Sequence, residues 1–149
     1  GRNRGRRLRS CSLVPQGKQV RLLHMNPIDI HKERDNMTTI LGFSSIEDIE
    51  KQYQCKLPDG IEILIAWYGY DDYEAQSFVL FRQQGKLYEV NSYHCSCYDL
   101  GGQWEPEETT IKALRMRKMG GQQSGYGHYD GENEAMLALN NLLDKLNVL

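Results

Sequence analysis

The 149-residue chain has no run approaching the roughly 18 apolar residues of a membrane-spanning helix, which excludes a helical membrane protein. Its four cysteines, Cys11, Cys55, Cys95 and Cys97, are too few and too irregularly spaced for a small domain stapled by disulfides. It has no Gly-rich phosphate loop, no G-x-S-x-G elbow, no H-E-x-x-H and no paired C-x-x-C, so the enzyme classes that announce themselves by those motifs are absent. No apolar segment follows its basic start, which argues against secretion. Acidic side chains are missing from the first 24 residues.

What is present divides by charge. Residues 1–24 hold seven Arg and Lys side chains, among them Arg2, Arg4, Arg6, Arg7 and Arg9. From residue 36 to the end, nine basic side chains stand against seventeen acidic ones. The net charge of −2 is therefore a difference between two electrostatic objects. The basic segment lacks apolar periodicity, and residues 1–36 are expected to lie outside one α+β domain spanning 37–149. Three readings of the segment stay open: a nucleic-acid-binding arm that neutralises phosphates, a targeting sequence, or residues foreign to the domain, with Met25 and Met37 as alternative starts.

In the body, Ser44-Ser45-Ile46-Glu47 reads as a capping box, with Glu47 reaching back to the cap. Ile46, Ile49 and Tyr53 then mark the apolar face of a helix over 45–54. Leu57-Pro58-Asp59-Gly60 turns the chain into Ile61–Tyr70, a β-branched and aromatic segment expected to be a buried central strand. Ala75–Arg82 and Lys86–Tyr93 form a hairpin around Gln83-Gln84-Gly85, with Leu87 and Glu89 on one face and Tyr88 and Val90 on the other. Thr109 or Thr110 caps a helix to about Lys118, preceded by Glu107 and Glu108, which suit its positive end. Residues 120–131 read as a Gly-, Gln- and Ser-rich mobile loop. Ala135, Met136, Leu139, Leu142, Leu143 and Leu146 make one apolar helical face. The expected fold is α+β: an antiparallel meander of about three strands with two or three helices on one face. Ile63, Ile65, Phe78, Leu80, Leu87, Leu139 and Leu143 are expected to share a single core.

The densest unusual segment runs from Tyr93 to Thr110. His94, Cys95 and Cys97 offer three zinc-type ligands within four residues, but alternation along a strand separates His94 from Cys95 and no fourth ligand is marked. The plainer reading makes Cys95 and Cys97 small half-buried residues at a strand end, so no cofactor is expected, with zinc as the alternative. The same three residues are the candidate centre of a thiol- or metal-dependent enzyme, yet no orienting acid accompanies them. Glu105, Glu107 and Glu108 could hold a divalent ion or act as an acid/base pair but read better as complements to a helix dipole, and the chain reads as non-enzymatic. Trp67, Tyr68, Tyr70 and Tyr73 read as a strand and its rim, with a binding surface as the alternative. Gly101 and Gly102 are expected to fold Tyr98 and Trp104 together, beside a rim of Glu105, Glu107 and Glu108. Such an edge suits protein binding.

Leu87–Asn91, His94-Cys95-Ser96-Cys97-Tyr98 and Gln103-Trp104-Glu105-Pro106-Glu107-Glu108-Thr109 resemble a block of small uncharacterised bacteriophage and prophage accessory proteins. The likeness covers about a third of the chain. It implies an accessory protein in the cytoplasm of an infected or lysogenic bacterium, acting on a host or defence protein, in some cases as an inhibitor. The alternative is a binder of nucleic acid or a nucleotide, through the Arg-rich arm or an aromatic pocket.

Overall fold

The computed structural model describes residues 8–12, 38–116 and 129–148. Strands β1 (Arg9–Ser10), β2 (Thr39–Leu41), β3 (Cys55–Lys56), β4 (Glu62–Asp71), β5 (Glu74–Gln83), β6 (Lys86–His94) and β7 (Glu107–Thr109) are joined by helices α1 (Ile46–Tyr53), α2 (Ile111–Met116) and α3 (Glu132–Val148). The fold is α+β. β4, β5 and β6 form the expected meander, widened by β2, parallel to β4, and by β7, antiparallel to β6, into a sheet of order β2-β4-β5-β6-β7. Only about three strands are legible in the sequence because β2 and β7 have three residues each, too few for alternation to show. Glu107 and Glu108, read as the approach to a helix, are strand residues opposite Glu89 and Tyr88.

Local chemistry explains the turns. Gln84 and Gly85 both adopt positive φ, 52° and 77°, as a two-residue turn matched to the twist of β5 and β6 requires. α1 is capped one residue later than the box read from sequence. Ser45 Oγ accepts from Asp48 N–H at 3.1 Å, and Asp48 Oδ2 accepts from Ser44 N–H at 2.9 Å. Asp48 thus takes the place expected for Glu47, and its carboxyl lies below the usual range chiefly because of that Ser44 amide. Ile49 and Tyr53 point inward as expected, while Ile46 is exposed.

Helices were expected on one face; the sheet is covered on both. α2 and α3 pack Leu114, Ala135, Leu139, Leu142 and Leu143 against Leu64, Ile65, Trp67, Phe78 and Leu80. The opposite face carries α1, the 98–106 loop and the β1–β3 ribbon, which bury Phe43, Ile49, Tyr53, Leu100 and Trp104 against Ala66, Tyr68, Val79, Phe81, Tyr88 and Val90. Ile63 belongs to this second core, not with Leu139. The register slips between Ile63↔Phe81 and Ile65↔Leu80, so the bulge at Leu64 turns Leu64 and Ile65 to the same face.

The N-terminal segment, expected to stand apart, is docked where it is described. Arg9 and Ser10 pair in parallel with Cys55 and Lys56, and Cys11 forms a disulfide with Cys55. Both half-cystines are buried. Arg2, Arg4, Arg6 and Arg7, the Met25 and Met37 starts, the end of the expected 109–118 helix and nearly all of the 120–131 loop lie outside the described residues. No helix among the described residues is long and apolar enough to cross a membrane.

Candidate functional site

Rows of side chains across β4, β5 and β6 build one end of the sheet. Tyr68, Ser77 and Ser92 share a row, and the Tyr53 hydroxyl meets Ser77 Oγ at 3.0 Å and Ser92 Oγ at 2.9 Å. Burial pushes the Tyr53 phenol up to about 12, against the lowering effect of those two hydroxyls. The next row is Tyr70, Ala75 and His94. Nδ1 of the His94 ring faces the Cys95 carbonyl at 2.8 Å, which can only accept, so Nδ1 carries the proton. Nε2 then accepts from the Tyr68 hydroxyl, which also meets the Tyr70 hydroxyl at 2.9 Å. Burial first, and then Tyr70, raise the Tyr68 phenol well above its ordinary value.

On the other face of the same end, the start of α3 is fastened to β4. The Trp67 indole donates to the Asp130 carbonyl at 2.8 Å, and Asp130 N–H donates to the Tyr70 carbonyl at 2.9 Å. Gly69 permits the approach, since a Cβ there would come within 2.4 Å of the Asp130 oxygen. Glu74 accepts from the Tyr129 hydroxyl at 3.3 Å. It also lies beside Tyr93, whose phenol it raises. Tyr129 is pushed up to about 12, by burial first and then by the Glu74 charge.

Four tyrosines remain open to solvent at this end: Tyr70, Tyr73, Tyr93 and Tyr98, 47%, 80%, 43% and 56% exposed. Asp71, Asp72, Glu74 and Asp99 stand beside them in sequence, Asp130 is brought to the same end by its bond to Tyr70, and no Lys or Arg occurs in residues 57–81, 87–111 or 129–144. Cations gather at the other end, where Lys86, Lys112, Arg115 and Met116 line an open groove of about 840 Å³ with Glu108 and Asn147. Several of these charges are already paired: Lys86 with Glu108 at 3.9 Å, Arg115 with Asp144 at 2.8 Å, and nearby Arg82 with Glu62 at 3.0 Å.

The binding edge expected at Tyr98, Trp104, Glu105, Glu107 and Glu108 does not assemble. Trp104 is 4% exposed, stacked on Phe81 at 5.7 Å and edge-on to Tyr53 at 5.2 Å, whereas Tyr98 is exposed with His94 as its ring neighbour. Trp104 is a core residue, drawn inward because its indole fills the space between sheet and loop. Glu107 and Glu108 are exposed, consecutive strand residues and therefore point to opposite faces, so the three acids do not line one rim.

The ligand set His94, Cys95 and Cys97 does not converge either. Both His94 ring nitrogens are engaged, and among the described residues no group of three or more His, Cys, Asp or Glu side chains is arranged to hold a metal ion. Of the Arg-rich arm, Arg9 is described, exposed on β1.

From sequence, Tyr70 and Tyr73 are rim residues and Tyr98 an anchor, whereas Tyr93 is only the last residue of a strand and the start of an unusual segment, with no exposure assigned to it. The available signal was the interleaving of tyrosine with acid in Tyr70-Asp71-Asp72-Tyr73-Glu74, beside a hairpin turn. Compared with known protein families, curated proteins and solved structures, the chain matches none.

Proposed function

We propose that this chain is a phage-type accessory protein that acts by binding. In this reading the tyrosine-lined acidic end of the sheet receives a Lys- or Arg-rich segment of a host or defence protein and thereby inhibits or redirects it. One observation carries the reading: four exposed tyrosines share an end whose three contributing segments contain no Lys or Arg. Tyrosine rings give large contact area at low entropic cost and can hold a cation over their faces. The surrounding carboxylates speed encounter with a basic partner and disfavour acidic ones. The buried Tyr53 and Tyr68 networks and the bond from Trp67 to Asp130 make the end rigid, so little ordering is needed on binding. Among compartments of such a host, an oxidising one suits the Cys11–Cys55 disulfide better than the cytoplasm expected from sequence.

The test titrates the full chain with a defined Arg- and Lys-rich peptide and with an acidic one of equal length. Binding of the basic peptide is expected to weaken about tenfold or more in a Tyr70→Ala/Tyr73→Ala variant. It should lose on-rate in an Asp72→Lys/Glu74→Lys variant, with melting nearly unchanged. Equal affinity in all variants, or preference for the acidic peptide, would overturn the reading. The nucleic-acid alternative makes a different demand. A nucleic acid would engage Lys86, Lys112 and Arg115 together with the Arg-rich arm, and its affinity would fall steeply with salt.

A further inference from the structure

Two thiols remain after the Cys11–Cys55 disulfide is counted among the described residues, and one tight turn holds both. Cys95 follows the last residue of β6 and is half-buried; Cys97 is exposed. The Cys97 amide donates to Cys95 Sγ at 3.5 Å. The backbone of Cys95 is anchored from the other side, since His94 Nδ1 donates to its carbonyl at 2.8 Å and Nε2 is held by Tyr68. The first sulfur thus sits directly at the end of β6 and the second on the turn that follows. The two sulfurs also differ in chemistry. The Cys97 amide, and then the Cys97 thiol, hold the Cys95 thiol below its ordinary value; the neighbouring Cys95 sulfur raises Cys97. Two residues apart, their Cα atoms can be at most about 7.2 Å distant when the chain is extended and closer in a turn, which meets the roughly 4.4–6.8 Å that a disulfide spans.

We propose that Cys95 and Cys97 form a thiol–disulfide exchange site for small accessible disulfides of the glutathione class. Cys95 attacks one sulfur of the disulfide, the S–S bond breaks, and one thiolate leaves and takes up a proton. This produces a mixed disulfide on Cys95. The Cys97 thiol then loses its proton and attacks the Cys95 sulfur, expelling the second small thiol and closing a Cys95–Cys97 disulfide. The protein pair loses two hydrogens, and one small disulfide becomes two thiols, so no further oxidant is needed. The polarity follows from the fold: the attacking sulfur is the amide-stabilised one and the resolving sulfur is the one on the turn. Cys11 and Cys55 take no part, because they are bonded to each other and both are buried.

The experiment uses the full chain with Cys11–Cys55 intact and the other thiols reduced, incubated with oxidised glutathione and followed by thiol titration and intact mass. Wild type is expected to lose both thiols and two hydrogens while retaining no glutathione, with the new bond mapped to Cys95–Cys97 by proteolysis. Cys97→Ser should accumulate one stable glutathione adduct on Cys95. Cys95→Ser should react at least roughly tenfold more slowly than Cys97→Ser. Persistence of both wild-type thiols, arrest of wild type at the mixed disulfide, or equal trapping by the two single variants would overturn the proposal. Neither residue belongs to the buried core, and Cys→Ser is nearly isosteric, so circular dichroism of each variant should match wild type.

Discussion

The two faces of the sheet are buried by different means. On one, α2 and α3 lay the aliphatic side chains Leu114, Ala135, Leu139, Leu142 and Leu143 on a strand surface of Leu64, Ile65, Trp67, Phe78 and Leu80. On the other, one short helix, an irregular loop and a two-residue ribbon do the covering, and the core is aromatic: Phe43 stacks on Tyr68, Phe81 on Tyr88 and Trp104 on Phe81. A regular helix presents a long stripe, so small side chains at a fixed spacing suffice. A loop presents few side chains, and each must therefore be large. The loop face also contains polar groups that need partners, hence the Tyr53–Ser77–Ser92 cluster and the Tyr68–His94 pair, and it is the face that carries the disulfide. The comparison teaches that helical burial here is built from periodicity and loop burial from individual anchors.

The largest effects should come from removing one anchor on each face. Trp104→Ala is expected to cost about 3–5 kcal/mol and Leu143→Ala about 2–5 kcal/mol, read from urea denaturation. Because the two share no neighbours across the sheet, the double variant should show nearly additive loss and a single transition. An unchanged midpoint in Trp104→Ala would mean that the loop face lies outside the cooperative unit.

Breaking the Cys11–Cys55 disulfide by a Cys11→Ala/Cys55→Ala pair sharpens the contrast, because it acts on the loop face alone. With a sequence separation of 44 residues, its loss should cost about 2–4 kcal/mol. Hydrogen exchange should accelerate in β1, β3 and the 98–106 loop and stay nearly unchanged in α3. Uniform acceleration in all elements would show that the two faces do not differ in local stability.

A smaller effect is expected of Tyr53→Phe, about 1–3 kcal/mol, because Ser77 and Ser92 lose a buried partner. It carries a pH signature. The folded phenol titrates near 12 and the unfolded one near 10, so the folded state holds a proton that the unfolded state has lost between those values. Stability from this group is complete below pH 10 and falls as pH rises toward 12. Tyr129, also raised to about 12, contributes in the same direction. The alkaline loss in urea midpoint should be shallower in Tyr53→Phe than in wild type. Parallel curves would remove Tyr53 from the explanation.

Much of the helix face was legible in the sequence. Ala135, Leu139, Leu142 and Leu143 repeat at helical spacing, and the β4–β6 meander follows from β-branched runs and a Gln-Gly turn. The loop face was not. Trp104 reads equally as an exposed anchor or a buried one, because a single indole in an irregular segment has no period. Of the candidate site, Tyr70, Tyr73 and Tyr98 were within reach, while Tyr93 was hidden in a strand.

By itself the sequence determined the elements whose side chains repeat, the turns whose residues tolerate positive φ, and the segregation of Lys and Arg from the tyrosine segments. These are local properties, set by neighbours a few positions away. Tertiary structure alone decided that Cys11 meets Cys55, that Ile63 and Ile65 face different cores, that Trp104 is buried and Tyr98 is not, and that Tyr70, Tyr73, Tyr93 and Tyr98 share one end. Each of those outcomes depends on strand register or on loop closure. Both are fixed by contacts between residues far apart in the chain, and a bulge of one residue is enough to turn a side chain from one face to the other.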